Sequence, residues 1–138
     1  MKSFQIALGQ SEERLSEVEF SLYDDILFIG KSIGTIVAAK IASESSEKDR
    51  IRLVLYTPLK DTFSFDFGAA TVFTGTDDPW VGHDTSEILA ICEGRGIPCA
   101  LIPGANHSLE TKDTDYDLKC LYRIMKQTDL FIKQRKMN

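Results

Sequence analysis

Short apolar runs alternate with segments of helical periodicity along the whole chain. Four runs rich in Ile, Leu and Val have the length and continuity of buried parallel strands. They span residues 26–29, 51–56, 70–74 and 99–102. A fifth run, residues 4–8, is interrupted by Gln5 and lies at the terminus, and we predict it as a further strand.

Helical segments lie between these strands. Residues 12–23 and 84–93 carry apolar side chains at intervals of three and four, and residues 32–43 are apolar nearly all round, as in a helix packed against a sheet. A last segment places five apolar residues on one helical face: Leu118, Leu121, Tyr122, Met125 and Ile132. Strands that alternate with helices form a parallel sheet covered on both faces. The pattern predicts an α/β fold, a three-layer α/β/α arrangement with a mostly parallel sheet of about five strands, in a single domain over residues 1–138.

Composition and charge narrow the class of protein. A chain of 138 residues with 43% hydrophobic content suits one domain with its own core. The net charge of −5, without a clustered basic face, argues against nucleic acid as a partner. No apolar run approaches the roughly 18 to 20 residues of a membrane span, and the start of the chain lacks the apolar core of a signal peptide. Three cysteines without a CxxC pair suit a reducing compartment, so we expect a soluble, cytoplasmic protein with no membrane partner.

The clearest chemistry lies in the turn between the strand at 26–29 and the helix at 32–43. Residues 30–34 read Gly-Lys-Ser-Ile-Gly, which is G-x-S-x-G in the strand, turn, helix context that gives this motif its meaning. A serine on such a turn has a strained backbone, and flanking glycines avoid clashes with the neighbouring elements. We predict Ser32 as a nucleophile at the carboxyl edge of the sheet, with the NH of Ile33 pointing at a developing oxyanion. The alternative is a glycine-bounded turn that binds phosphate or a nucleotide in a flavodoxin-like protein.

A nucleophilic serine needs a base and a carboxylate that orients the base. Asp77 and Asp78 follow the strand at 70–74, and His107 follows the strand at 99–102. All three lie beyond the carboxyl ends of strands, where open parallel sheets bind their ligands. His83, the second of two histidines, lies within the acid loop and not after a strand, and we predict it as a surface residue.

The three motifs in this order resemble the α/β-hydrolase superfamily over about residues 24 to 135. The elbow GKSIG and the strand end LVLYTPL look like its small esterase-like and dienelactone-hydrolase-like members. Members carry the acid in a G-x-x-D turn and the histidine in a G-x-x-H pattern, so the resemblance favours Asp78, three residues after Gly75, over Asp77. It implies a serine hydrolase that uses Ser32, His107 and Asp78 on a small ester or thioester through an acyl-enzyme, with no metal or organic cofactor.

The front of the chain departs from the usual family pattern. Members have several strands before the nucleophile strand, one of them followed by a loop that donates a second oxyanion NH, whereas only about 25 residues precede that strand here. If residues 4–8 form a strand beside residues 26–29, the loop after them takes the place of the oxyanion loop, and Gln10 supplies the second donor. We prefer this hypothesis. Otherwise the nucleophile strand is an open edge that a second subunit would cover in a homodimer. The shortened front also suits a catalytically silent binding or scaffold protein.

Overall fold

The computed structural model describes residues 2–82 and 85–134. Within them the chain forms four strands and four α-helices, joined by turns and three short 3-10 segments. The elements are, in chain order, α1 (Lys2–Leu15), β1 (Ile26–Lys31), α2 (Ile33–Glu44), β2 (Ile51–Tyr56), β3 (Ala70–Gly75), α3 (Thr85–Arg95), β4 (Cys99–Ile102) and α4 (Thr114–Lys133). None of these helices is both long enough and apolar enough to cross a membrane.

The four strands form one sheet in the order β1-β2-β3-β4, and every neighbouring pair is parallel. The predicted α/β class and parallel sheet are therefore confirmed. The predicted number of about five strands is wrong, because the described residues contribute four.

The missing fifth strand is residues 4–8, which lie within helix α1. The helix begins ten residues before the helix predicted at 12–23 and ends at Leu15. Phe4, Ala7, Leu8, Ser11 and Leu15 recur at intervals of three and four, so one side of this segment has the helical period. The segment is also rich in Ala, Leu, Gln, Glu and Arg, which favour helix. α1 packs against α2 and adds nothing to the sheet.

Helices pack on both faces of the sheet, and each face receives every second side chain of a strand. On β2, Leu53 and Leu55 pack with α2 and α3, whereas Val54 packs with α4. The α4 layer is centred on Phe73, Ile102, Cys120 and Ile124. The result is the three-layer arrangement, in which α4 covers one face and α2 and α3 cover the other.

β1 forms one edge of the sheet. The amide of Ser32 donates to the carbonyl of Tyr56 on β2, and the alternation of a parallel strand then turns the backbone groups of Leu27, Ile29 and Lys31 toward the open side. Ile29 is 59% exposed. Among the described residues no strand pairs with this edge, as expected from the second of the two sequence-based alternatives.

Candidate active site

Ser32 connects β1 to α2 in a backbone conformation that side chains disfavour. Its φ is 54° and its ψ is −124°. A Cβ at Gly30 would lie 2.7 Å from the carbonyl oxygen of Gly34, so the tight approach of strand and helix requires glycine there. A Cβ at Gly34 would meet nothing within 4 Å, so crowding does not explain the second glycine of the motif. The turn presents the hydroxyl of Ser32 at the carboxyl edge of the sheet.

Three side chains that are far apart in sequence form one hydrogen-bonded chain at this edge. Nε2 of His107 lies 2.7 Å from Oγ of Ser32, and Nδ1 of His107 lies 2.7 Å from Oδ2 of Asp78. The carboxylate is fully buried, and 17% of the imidazole is exposed. Burial keeps water from competing for the carboxylate, whereas the imidazole keeps some contact with solvent.

The loop after β3 places Asp78, and not Asp77, against the histidine. One oxygen of the Asp78 carboxylate accepts a hydrogen bond from the backbone NH of Trp80 at 2.9 Å, and the other faces His107. Asp77 is exposed, and its amide donates to the carbonyl of Ala105 at 3.0 Å. The acid and histidine loops approach so closely at Gly75 that a Cβ there would overlap the Ala105 carbonyl. The absence of a side chain at Gly75 therefore allows these two loops to come together at the site.

The histidine loop is closed by its own hydrogen bonds. The side-chain oxygen of Asn106 accepts from the amides of Ser108 at 2.9 Å and Glu110 at 3.1 Å, and the amide of Asn106 donates to the carbonyl of Glu110. This ring holds the loop on both sides of His107. It agrees with the general tendency of asparagine side chains to bond nearby backbone in loops.

Lys31 makes a contact that no sequence motif indicated. Its Nζ donates to the backbone carbonyl of His107 at 3.3 Å, across 76 positions of the chain. The variable residue of the elbow therefore ties the nucleophile turn to the histidine loop. The only available signal in the sequence was the position of Lys31 next to Ser32, which does not specify a distant partner.

The two predicted oxyanion donors have different positions. Ile33 is the first residue of α2, where backbone NH groups have no partner within the helix, so its NH is free to point toward the site. Gln10 lies inside α1, beside a surface depression that also contains Ala7 and Arg14. The expectation that Gln10 follows a strand next to β1 is wrong, because residues 4–8 are helical and the backbone NH of a residue this far into a helix bonds within that helix.

An apolar groove adjoins the site. A groove of about 360 Å³ begins at Lys31 and Ser108, the chain neighbours of Ser32 and His107, and continues along α4. Its apolar lining is Tyr56, Leu109, Leu118, Leu121, Ile124 and Met125. Within residues 2–82 and 85–134, no group of three or more His, Cys, Asp or Glu side chains could hold a metal ion. His83, predicted as a surface residue, lies outside the described residues.

The parallel sheet and its helices match the fold of solved structures of the α/β-hydrolase kind. A protein of unknown function from Agrobacterium tumefaciens, named as a candidate α/β hydrolase, superposes with a TM-score of 0.62 at 18% identity over 88% of this chain. A carboxylesterase from Bacillus cereus superposes with a TM-score of 0.50 at 16% identity over 89% of this chain. The chain spans 60% and 59% of these two proteins. No protein-family model and no curated protein matches the sequence.

Proposed function

We propose that the protein is a serine hydrolase that cleaves small esters or thioesters through an acyl-enzyme. The observation that carries the proposal is the continuous chain from Ser32 Oγ through the imidazole of His107 to Asp78, with both links at 2.7 Å. A serine hydroxyl becomes a nucleophile when a base within hydrogen-bond reach takes its proton. The relatives named carboxylesterase and candidate hydrolase agree with this chemistry.

In the first half-reaction Ser32 Oγ forms a bond to the carbonyl carbon while His107 Nε2 takes the hydroxyl proton. The buried carboxylate of Asp78 stabilises the imidazolium, and the NH of Ile33 donates to the oxyanion. When the tetrahedral intermediate collapses, the bond to the leaving group breaks and His107 returns the proton to it. In the second half-reaction His107 Nε2 takes a proton from a water molecule while the water oxygen forms a bond to the acyl carbon. The bond between that carbon and Ser32 Oγ then breaks, His107 gives the proton to Oγ, and the acid leaves.

We expect slow turnover from a single copy of the chain. With Gln10 inside α1, we infer that this helix supplies no second donor beside the NH of Ile33. Loss of one oxyanion donor typically costs about 10² to 10³ in rate. A covalent probe that reports one chemical event is therefore a more sensitive test than steady-state turnover.

The test is labelling with a fluorophosphonate, followed by mass spectrometry of the intact protein and of its peptides. We expect a single adduct on Ser32, none in Ser32→Ala, and strongly reduced labelling in His107→Ala. Absence of an adduct on folded wild-type protein would refute the proposal.

A second function, that of a catalytically silent binding protein, is favoured by the open edge of β1. An unpaired strand edge is a template for pairing with another chain. If the protein hydrolyses short p-nitrophenyl esters and His107→Ala abolishes this activity, the alternative is rejected.

We also propose a reducing, cytoplasmic location. The three cysteines are free, which supports this proposal.

A further inference from the structure

Trp80 is an exposed aromatic side chain beside the histidine of the site. It is the one tryptophan of the chain, and 73% of it is exposed. The centres of its ring system and of the His107 imidazole are 5.9 Å apart, and the two planes are inclined by 46°. A large apolar surface therefore lies open to solvent next to the group that transfers the proton.

The backbone of Trp80 is held by the carboxylate that also holds His107. Its NH donates to Oδ1 of Asp78 at 2.9 Å, and the amides of Val81 and Gly82 donate to the backbone carbonyl of Asp78. Val81 is buried and anchors the end of this turn in the core. Since the contact to Asp78 comes from the backbone, replacing the indole leaves this hydrogen bond available.

The direction of proton transfer decides which part of a substrate lies near Trp80. His107 Nε2 hands its proton to the oxygen of the departing alcohol, so that oxygen must come within about 2.6 to 3.2 Å of the imidazole. The carbon group bonded to this oxygen then lies next to the His107 imidazole, where the Trp80 indole also lies. The acyl part is bonded to Ser32 Oγ and stays with the elbow after the alcohol has left.

We propose that Trp80 binds the alcohol part of the substrate, so that the site selects esters of flat apolar alcohols, such as arylmethyl esters. This inference rests on the proposed hydrolase function. Stacking between aromatic groups contributes enough to change kcat/KM by about 2- to 12-fold. The contact exists only while the alcohol is bound, so it affects acylation and has no part in deacylation.

The experiment compares kcat/KM for benzyl acetate and ethyl acetate, which differ only in the alcohol. We expect the benzyl-to-ethyl ratio to fall about 2- to 12-fold in Trp80→Ala and to be largely kept in Trp80→Phe. The ratio for ethyl butyrate over ethyl acetate, which differ only in the acyl part, should stay as in the wild type. Tyr122→Ala is the matched control, because Tyr122 is a similarly exposed aromatic residue on α4, at 68%. An unchanged benzyl-to-ethyl ratio, or an equal change in the acyl ratio, would overturn the proposal.

A second measurement is independent of catalysis. In Ser32→Ala, benzyl acetate should shift the fluorescence of the single tryptophan to shorter wavelength, because it covers the exposed indole, whereas ethyl acetate at the same concentration should not. If the fluorophosphonate fails to label Ser32 and this shift is still seen, the hydrolase proposal fails, and with it the selection of alcohols by Trp80, and only binding of a flat apolar group by the indole is supported. If labelling succeeds and the shift is absent, the role of Trp80 is refuted.

Discussion

The two glycines of the elbow should respond to substitution in opposite ways. In Gly30→Ala the new Cβ would lie 2.7 Å from the Gly34 carbonyl oxygen and 2.9 Å from its carbon. Both contacts are to backbone, which cannot rotate away, so β1 and α2 must move apart by several tenths of an ångström. Overpacking of this kind costs about 1 to 3 kcal/mol of unfolding free energy.

Gly34→Ala has open space for its Cβ and lies in the first turn of α2. Alanine favours the helix over glycine by up to about 1 kcal/mol, so this substitution should leave stability unchanged or raise it. For a chain of this length each kcal/mol shifts Tm by roughly 4 °C. We therefore expect Gly30→Ala to melt about 4 to 12 °C below the wild type and Gly34→Ala to melt at or above it.

Thermal unfolding followed by circular dichroism measures both shifts, and the rate of fluorophosphonate labelling reports the position of Ser32. A displaced elbow in Gly30→Ala should slow labelling, by up to about 100-fold for a displacement near 1 Å. Equal Tm values for wild type and Gly30→Ala, or a loss in Gly34→Ala as large as that in Gly30→Ala, would refute the reasoning from backbone crowding.

Three further predictions follow from the described contacts. Asp78→Asn should lower kcat by about 10⁴, because an amide at this position favours the wrong imidazole tautomer. Asp77→Asn, at an exposed residue, should have little effect, and equal losses of ester hydrolysis in the two variants would contradict the choice of Asp78. We propose a homodimer paired through the open edge of β1, which Ile29→Lys should convert to monomers in light scattering; a monomeric wild type would refute it. The hydrogen bond from Cys92 lowers the pKa of Cys99 below 9.0. Because the thiolate is the reactive form, alkylation of Cys99 by iodoacetamide, followed by peptide mass spectrometry, should reach half its maximal rate below pH 9.0. Cys92→Ala should raise the pH at which this half-maximal rate is reached. An unchanged midpoint in Cys92→Ala would show that this hydrogen bond does not stabilise the thiolate.

Most of the sheet and its helices could be read from local patterns. The strands predicted at 51–56 and 99–102 have the same bounds as β2 and β4, and the strand predicted at 26–29 extends two residues further, to Lys31. Strands buried on both faces need continuous apolar runs, and these runs are visible without knowledge of the fold. The helix predicted at 84–93 begins outside the described residues and corresponds to α3 (Thr85–Arg95).

Residues 4–8 show where local pattern fails. A short apolar run is compatible with a strand or with one face of a helix, and its neighbours in space decide between them. A strand needs a partner along its whole length, whereas a helix satisfies its own backbone groups. The segment is helical here and packs on α2, which removed the basis for Gln10 as an oxyanion donor and left β1 as an edge.

For the candidate site, too, the sequence predicted some features and the tertiary structure decided others. Residue type and spacing were enough to single out Ser32, His107 and two adjacent aspartates, because the chemistry of a nucleophile, a base and a carboxylate is carried by individual residues. The distances were decided by the parallel sheet, which brings the ends of β1, β3 and β4 to one edge and turns Asp78 toward the imidazole. The contacts of Lys31 and Trp80 with His107 also depend on that folding, because they join positions 76 and 27 residues apart and no local pattern encodes such a distance.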